Sequence, residues 1–315
     1  MKRIVKTELW HPDINITDDF ARNIIEKQFS ELSPIRIKCI GEGWDNKVFL
    51  VNDRFIFRLP HREIAALLIE RENAVLGHLQ DLVNLEIPNP IYAGKPSDDY
   101  PYHFHGYQMI NGKSGCHANL SVTSRNKSVT KLAEFLKRLH SITETKARAI
   151  GAKDQVFDRT DVVRAVNALT ERVEKINTRN IASINLTVFN EEIKIAAAVN
   201  LPKTKVLVHG DLYCRHLMFD KDELVGIIDW GDVGINNPAV DLGVVFSFYP
   251  TDCHQAFFDI YGGIDSQTYA YARFLGLYSA ITVMLYGHDI DDLQLAQEAK
   301  ESILRINSKL LEQST

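Results

Sequence analysis

This 315-residue chain has no apolar run long enough to cross a bilayer; its most apolar long stretch, Phe274 to Gly287, contains Ser279 and Thr282 and reads as a buried helix. Cysteine is scarce: Cys39, Cys116, Cys214 and Cys253 lie far apart with no framework spacing, which excludes a disulfide scaffold and fits reduced thiols in a cytoplasm. No Cys-x-x-Cys or His-x-x-x-His pair accompanies Cys214 and His216, so zinc is not expected there. A basic block interleaved with aromatics is also missing, and with it the usual footprint of a nucleic-acid binder. The first residues, MKRIVKTELWHPD, are partly basic but have no apolar stretch behind them, so neither an export signal nor a membrane partner is expected. Internal repeats and low-complexity tracts are lacking too. What remains is a chain with 45% hydrophobic residues, long enough for two lobes with separate cores and expected in the cytoplasm.

The net charge is −5, unevenly distributed. From Leu201 to Thr315 there are 16 acidic against 8 basic residues, net −8, and the remainder carries net +3. Such asymmetry suits a polyphosphate near the N-terminal part and a cationic small molecule near the C-terminal part. It is equally what scattered solubilising surface acids would give.

The densest chemistry lies in Val206 to Asp232, VLVHGDLYCRHLMFDKDELVGIIDWGD. Val206-Leu207-Val208 reads as a short buried strand that delivers His209-Gly210-Asp211 into a turn. Leu217-Met218-Phe219 and Leu224 to Ile228 flank the polar turn Asp220-Lys221-Asp222, a hairpin pattern ending at Asp229-Trp230-Gly231. The hairpin is predicted to return Asp229 beside the loop carrying Asp211 and His216. A carboxylate near an attacking hydroxyl, with further oxygen or nitrogen ligands for Mg²⁺, is the grouping phosphoryl transfer requires. His209 is expected to hold the loop by hydrogen bonds. Asp241, after Asn237-Pro238, is expected to anchor the loop to the following helix.

With HGD, His216 five residues on and a strand ending in IDWGD, the sequence resembles the aminoglycoside phosphotransferase family, closest to its aminoglycoside 2''- and macrolide 2'-phosphotransferase branch. The resemblance implies that Asp211 is catalytic, orienting or deprotonating the acceptor hydroxyl, and that Asp229 binds Mg²⁺. Most members carry Asn where this chain has His216; that branch also uses His, so His216 is expected as the second metal ligand.

Upstream, Thr17 is predicted to cap a helix running to about Phe29, followed by strands over Ile35 to Ile40, Lys47 to Val51 and Phe55 to Leu59. The turn Gly41-Glu42-Gly43-Trp44-Asp45-Asn46 lies between the first two strands, and its glycines let backbone approach phosphates. The resemblance implies that Gly41, Gly43 and Asn46 belong to the loop covering the nucleotide. Arg58 stands where kinases have Lys, and Glu72, in preference to Glu70, is its expected partner on a helix from Glu63 to Leu79. The strand His105 to Ile110 ends at a hinge, where backbone of Gln108, Met109 and Ile110 is expected to meet the purine. Beyond it the pattern is helical over Leu132 to His140, Val162 to Ile176, Glu191 to Val199, Ser266 to Tyr286 and Asp291 to Leu311.

The implied fold is α+β, protein-kinase-like and two-lobed. Residues 1–110 would form a nucleotide-binding lobe with an antiparallel sheet, and residues 111–315 a larger, mostly helical catalytic and acceptor-binding lobe with the catalytic hairpin. The implied activity is transfer of the γ-phosphate of ATP or GTP, with Mg²⁺, to a hydroxyl of a macrolide or aminoglycoside antibiotic, hence antibiotic resistance. A cellular metabolite is the alternative acceptor, and a nucleotide-binding pseudokinase the alternative class, because Arg58 and His216 depart from the commonest pattern. Asp232, Asp289, Asp291, Asp292, Tyr278 and Tyr286 are candidate contacts to a cationic acceptor.

Overall fold

The structure is a computed structural model that describes residues 13–43, 45–156 and 158–311. Residues 1–12 of the stretch read for an export signal, and Trp44 of the glycine turn, lie outside the described residues. The chain forms two compact units, Met1–Gln80 with Pro88–Ile110, and Asp81–Ile87 with Asn111–Thr315. The short segment Asp81–Ile87 groups with the second unit because Glu86 donates its N–H to the Val225 carbonyl at 2.9 Å and accepts from Ile227 at 2.8 Å. Asn84 adds a hydrogen bond to Glu134 at 3.2 Å.

The first unit begins with α1 (Asp18–Gln28), whose first turn is closed by the Thr17 hydroxyl accepting from Phe20 N, with Asp18 and Asp19 at the positive end of the helix dipole. Strands β1 (Ile37–Glu42), β2 (Asn46–Val51) and β3 (Phe55–Pro60), helix α2 (Glu63–Leu79), and strands β4 (Pro90–Gly94) and β5 (Phe104–Gln108) follow. The five strands make one antiparallel sheet in the order β1-β2-β3-β5-β4. Strand β3 is central and buried along its whole length, so alternation divides two covered faces instead of core from solvent. Phe55, Phe57 and Leu59 join Phe49, Val51, Phe104 and the α1 residues Ile24 and Ile25 in one core. Each fully buried phenylalanine there contributes roughly 1.5–3 kcal/mol. Arg58 emerges on the opposite face, toward α2.

In the second unit, β6 (Lys113–Ser114), α3 (Val122–His140), α4 (Glu144–Ala149), α5 (Val162–Thr178) and α6 (Leu186–Ala197) precede β7 (Val206–Val208). The hairpin β8 (Leu217–Asp220) and β9 (Glu223–Ile227), then β10 (Gly234–Asn236), α7 (Ala239–Phe248), α8 (His254–Tyr261), α9 (Ser266–Asp289) and α10 (Leu293–Ile306) complete it. Every residue of α7 is buried, so this helix shows no amphipathic period. It crosses α9 closely enough that a Cβ on Gly276 would lie 2.6 Å from the Gly243 carbonyl oxygen.

Several boundaries differ from the sequence reading for identifiable reasons. Helix α3 begins at Val122, ten residues before the stripe read from Leu132, and its early turns are polar yet buried. There Arg125 pairs with Glu298 at 2.6 Å and Ser128 bonds the Tyr249 hydroxyl at 2.9 Å, so pairing has replaced apolarity as the signature of burial. Helix α10 starts at Leu293, where the Asp292 carboxylate accepts from Leu295 N at 3.0 Å and fixes the first turn.

Candidate active site

Strand β7 pairs antiparallel with β10, Val208 opposite Gly234, so the loop leaving β7 and the turn entering β10 emerge at one end. That loop is held from beneath by Asp241. Its fully buried carboxylate accepts from His209 N at 2.7 Å and Gly210 N at 2.8 Å, and from His140 Nε2 at 3.1 Å. Burial alone would raise this carboxyl; the His140 hydrogen bond and charge, His209 and the Gly210 amide outweigh it and hold it below the usual range. Gly210 has φ +94°, and a Cβ there would lie 2.3 Å from the Asp232 carbonyl oxygen, so only glycine fits. His209 donates from Nε2 to the Ile228 carbonyl at 3.0 Å and accepts from Asp211 N at Nδ1, 3.3 Å away. With both ring nitrogens committed and burial opposing its charge, its pKa is lowered; the imidazole ties the loop to the hairpin as a neutral group.

The carboxylate of Asp211 is 40% exposed at the head of the loop. The chain then turns through a short helical segment, Cys214–His216, and Ile228 N donates to His216 O at 3.0 Å, which brings the end of β9 alongside. Trp230 is fully buried, its indole N–H bonded to the Ile227 carbonyl at 3.0 Å and its ring 4.8 Å from that of His209. With Trp230 sunk into the core, Asp229 takes φ +63°, a left-handed conformation that Asp tolerates better than most residues, and its side chain is 48% exposed.

The pair His216 and Asp229 fits a divalent cation. His216 Nδ1 lies 2.7 Å from the Asp211 carbonyl oxygen, which can only accept, so Nδ1 carries the proton. In the neutral ring Nε2 is then a bare lone pair, and it stands 3.4 Å from Asp229 Oδ2. Two electron-rich atoms so placed call for a positive charge between them, and a backbone carbonyl bonded to the far ring nitrogen is the usual support of a metal-binding imidazole. No cluster of three or more such ligands occurs among the described residues. Mg²⁺ does not require one, because it keeps waters and takes ligands from substrate phosphates.

In the first unit, Arg58 Nη1 donates to both oxygens of Glu72, at 2.8 and 2.9 Å, with side-chain exposures of 7% and 0%. Glu70 is half exposed and lies 3.6 Å from His103. Glu72→Ala is therefore expected to destabilise this unit by about 3–5 kcal/mol because Arg58 stays buried without its carboxylate, whereas Glu70→Ala shifts stability by about 0.5 kcal/mol at most. Thermal unfolding of the two variants checks this; equal shifts would contradict it. Gly43 N donates to the Asn46 carbonyl at 3.0 Å, closing the turn. A Cβ on Gly41 would meet nothing within 4 Å, so internal packing does not demand glycine there. The Oδ1 atom of Asn46 is buried without a partner among the described residues. Gln108 ends β5, Met109 N donates to the Arg54 carbonyl at 2.9 Å, and Ile110 is buried.

Sequence reasoning missed Arg159. Its Nη2 donates to Asp211 Oδ1 at 3.0 Å and to Asp232 Oδ2 at 2.7 Å, joining the two carboxylates. Burial opposes its charge, yet Asp211 and Asp232 together hold its pKa above the ordinary value. No motif marks Arg159, which sits in the irregular stretch between α4 and α5. The other acceptor candidates are engaged elsewhere or exposed. Asp289 pairs with Arg179 at 2.5 Å, Asp292 caps α10 and lies 3.0 Å from His117 Nε2, and Asp291 is exposed with φ +57°. Tyr278 accepts from Arg172 at 2.7 Å, and Arg215 lies over the Tyr286 ring at 5.7 Å.

Comparison with known proteins agrees with this architecture. The sequence profile described as the phosphotransferase enzyme family matches residues 36–275. Among solved structures, the GDP complex of wild-type aminoglycoside 2'-phosphotransferase-IIIa is similar with a TM-score of 0.69 at 22% identity, covering 93% of this chain and 99% of that one. ADP-bound aminoglycoside phosphotransferase APH(2'')-Ib gives 0.58 at 20% identity, with 90% and 98% covered. The macrolide 2'-phosphotransferase MphH from Brachybacterium faecium gives 0.55 at 17% identity, with 89% and 93% covered. The fold is thus the kinase-like α+β fold of these enzymes.

Proposed function

This chain belongs to the phosphotransferase enzyme family, and from that premise we propose that it transfers the γ-phosphoryl group of ATP or GTP to a hydroxyl of a small molecule. The observation that carries this reading is the arrangement on one loop and one turn: His216 Nε2 3.4 Å from Asp229 Oδ2, beside the exposed carboxylate of Asp211. Asp211 aligns the acceptor hydroxyl and takes its proton as the new O–P bond forms. His216 and Asp229 would hold Mg²⁺, which when bound supplies neutralisation of phosphate charge. In the first unit, Arg58, held by Glu72, steadies the nucleotide phosphates, and the turn of Gly41, Gly43 and Asn46 covers them. Gln108, Met109 and Ile110 take the purine through backbone atoms. Catalysis is then positional and electrostatic, with little covalent work for the protein.

The names of the similar structures support an antibiotic acceptor, an aminoglycoside or a macrolide, and with it a role in resistance. The contact of Arg159 with Asp211 favours a second reading, a metabolite. No helix among the described residues is long and apolar enough to cross a membrane, and all four cysteines are free, so a reducing cytoplasm is the proposed compartment.

Asp229→Ala is expected to abolish the Mg²⁺ dependence of nucleotide binding. Titration calorimetry with ADP and GDP, with Mg²⁺ and with EDTA, reads this directly: wild type should lose roughly 10-fold or more in affinity on chelation and the variant should show no difference. A variant that kept the full Mg²⁺ effect would remove Asp229 from the metal site.

A further inference from the structure

We propose that Arg159 selects an acceptor bearing an anionic group, a carboxylate or phosphate, beside the hydroxyl that Asp211 aligns; the inference rests on the phosphotransferase reading. Three observations carry it. First, the two carboxylates that would attract a cationic acceptor, those of Asp211 and Asp232, already share the guanidinium of Arg159 at 3.0 and 2.7 Å. An ammonium group brought there would have to share these carboxylates with a guanidinium already bonded to both, instead of filling a vacant acidic subsite.

Second, Arg159 commits only one nitrogen to these contacts. Its Nε is buried and has no partner among the described residues. A guanidinium presents its donors as a planar fork matched to carboxylate and phosphate, so an anion bound along the unused edge would satisfy the buried N–H. On α5 a second guanidinium, Arg172, bonds the Tyr278 hydroxyl at 2.7 Å and lies 4.8 Å above its ring.

Third, the backbone that carries the arginine is held in place. Its carbonyl accepts from the Tyr271 hydroxyl at 3.0 Å. Upstream, Gln155 donates to the Asp232 carbonyl at 2.8 Å and accepts from Asn236 Nδ2 at 2.8 Å, while Ile235 N donates to the Lys153 carbonyl at 2.9 Å. Downstream, Asp158 Oδ1 takes both the N–H and the hydroxyl of Thr160, and Asp161 caps α5. The described residues of this stretch are thus bonded to β10 and α9, and the guanidinium itself is held by Asp211 and Asp232.

The test uses sets of related acceptors in which one group is neutral, cationic or anionic. The 315-residue chain with Mg²⁺ and ATP or GTP is offered glycerol, aminopropanediol, glycerate and glycerol phosphate, then glucose, glucosamine, gluconate and glucose phosphate, with kanamycin as a polycation. Transfer should favour the anionic member of a set, and whether carboxylate or phosphate leads identifies the anion. Arg159→Gln should raise KM for that acceptor about 10- to 100-fold, the effect of losing a charge-assisted pair, while the KM for the uncharged member of the set stays within about threefold, with partial rescue by Arg159→Lys. Preferred transfer to kanamycin or to the amines, or an unchanged KM in Arg159→Gln, would overturn the proposal and leave the phosphotransferase reading intact. Should no member accept phosphate, the Arg159 Nε–H resonance, assigned by its loss in Arg159→Lys, decides: a saturable shift with the anions and none with the amines supports the inference, and no shift with any anion overturns it. Failure of the parent reading is separate and would appear as no Mg²⁺-dependent binding of ADP or GDP.

Discussion

Asp211→Ala should lower kcat by about 10³-fold while leaving nucleotide affinity within about twofold of wild type, because the carboxylate acts on the acceptor hydroxyl and not on the donor. The loop survives the change. His209, Gly210 and His216 keep their anchors to Asp241, Ile228 and the 211 backbone carbonyl, none of which uses the Asp211 side chain. What is lost is one oxygen pair, of which Oδ1 is engaged by Arg159 and Oδ2 lies 3.9 Å from His216 Nδ1. Arg159 then retains only Asp232 among its two carboxylates. Steady-state kinetics with a competent acceptor, beside calorimetric titration of ADP and GDP, separate the two quantities. Wild-type turnover in Asp211→Ala would remove this residue from the chemistry.

Asp241→Ala should be the most destabilising single change in the second unit, about 3–5 kcal/mol, since it leaves two backbone N–H groups and His140 without their buried acceptor. Turnover should fall as well, through disorder of the loop that bears Asp211. The same site sets a pH dependence. The folded-state pKa of Asp241 is depressed, so its contribution to stability is complete above the unfolded carboxyl value of about 3.9 and is lost as pH falls through the lower folded value. His209 is also depressed, so the folded protein resists its protonation, and stability declines once pH drops below the unfolded imidazole value of about 6.5. Denaturant unfolding from about pH 8 to about pH 2 should therefore show a loss beginning near neutrality and steepening below about pH 4, and Asp241→Asn should flatten the acid limb. An acid limb identical in wild type and Asp241→Asn would contradict this role.

The sequence made the hairpin and its turn legible because each step is local. An apolar triplet, a glycine that only a left-handed turn explains, and a polar break between two apolar runs fix where Asp211, His216 and Asp229 fall. Asp241 was readable as an anchor from its place after Asn237-Pro238, though not the number of groups it receives. Arg159 was not readable. It reaches Asp211 across 52 positions from an irregular segment, and a charge count over Leu201 to Thr315 excludes it by construction. The first turns of α3 were hidden for a related reason: Ser124, Arg125 and Ser128 are buried through polar pairing, which a hydrophobic period cannot register.

The central claim is that Asp211, His216 and Asp229 form a phosphotransfer site acting on a small-molecule hydroxyl. Its most direct test is γ-labelled ATP and GTP incubated with Mg²⁺ and the same acceptor panel of neutral, cationic and anionic members, followed by mass detection of the acceptor. The account predicts an acceptor heavier by one phosphoryl group with wild type and none with Asp211→Ala. Label transferred equally by Asp211→Ala, or a protein that binds neither nucleotide in the presence of Mg²⁺, would contradict it.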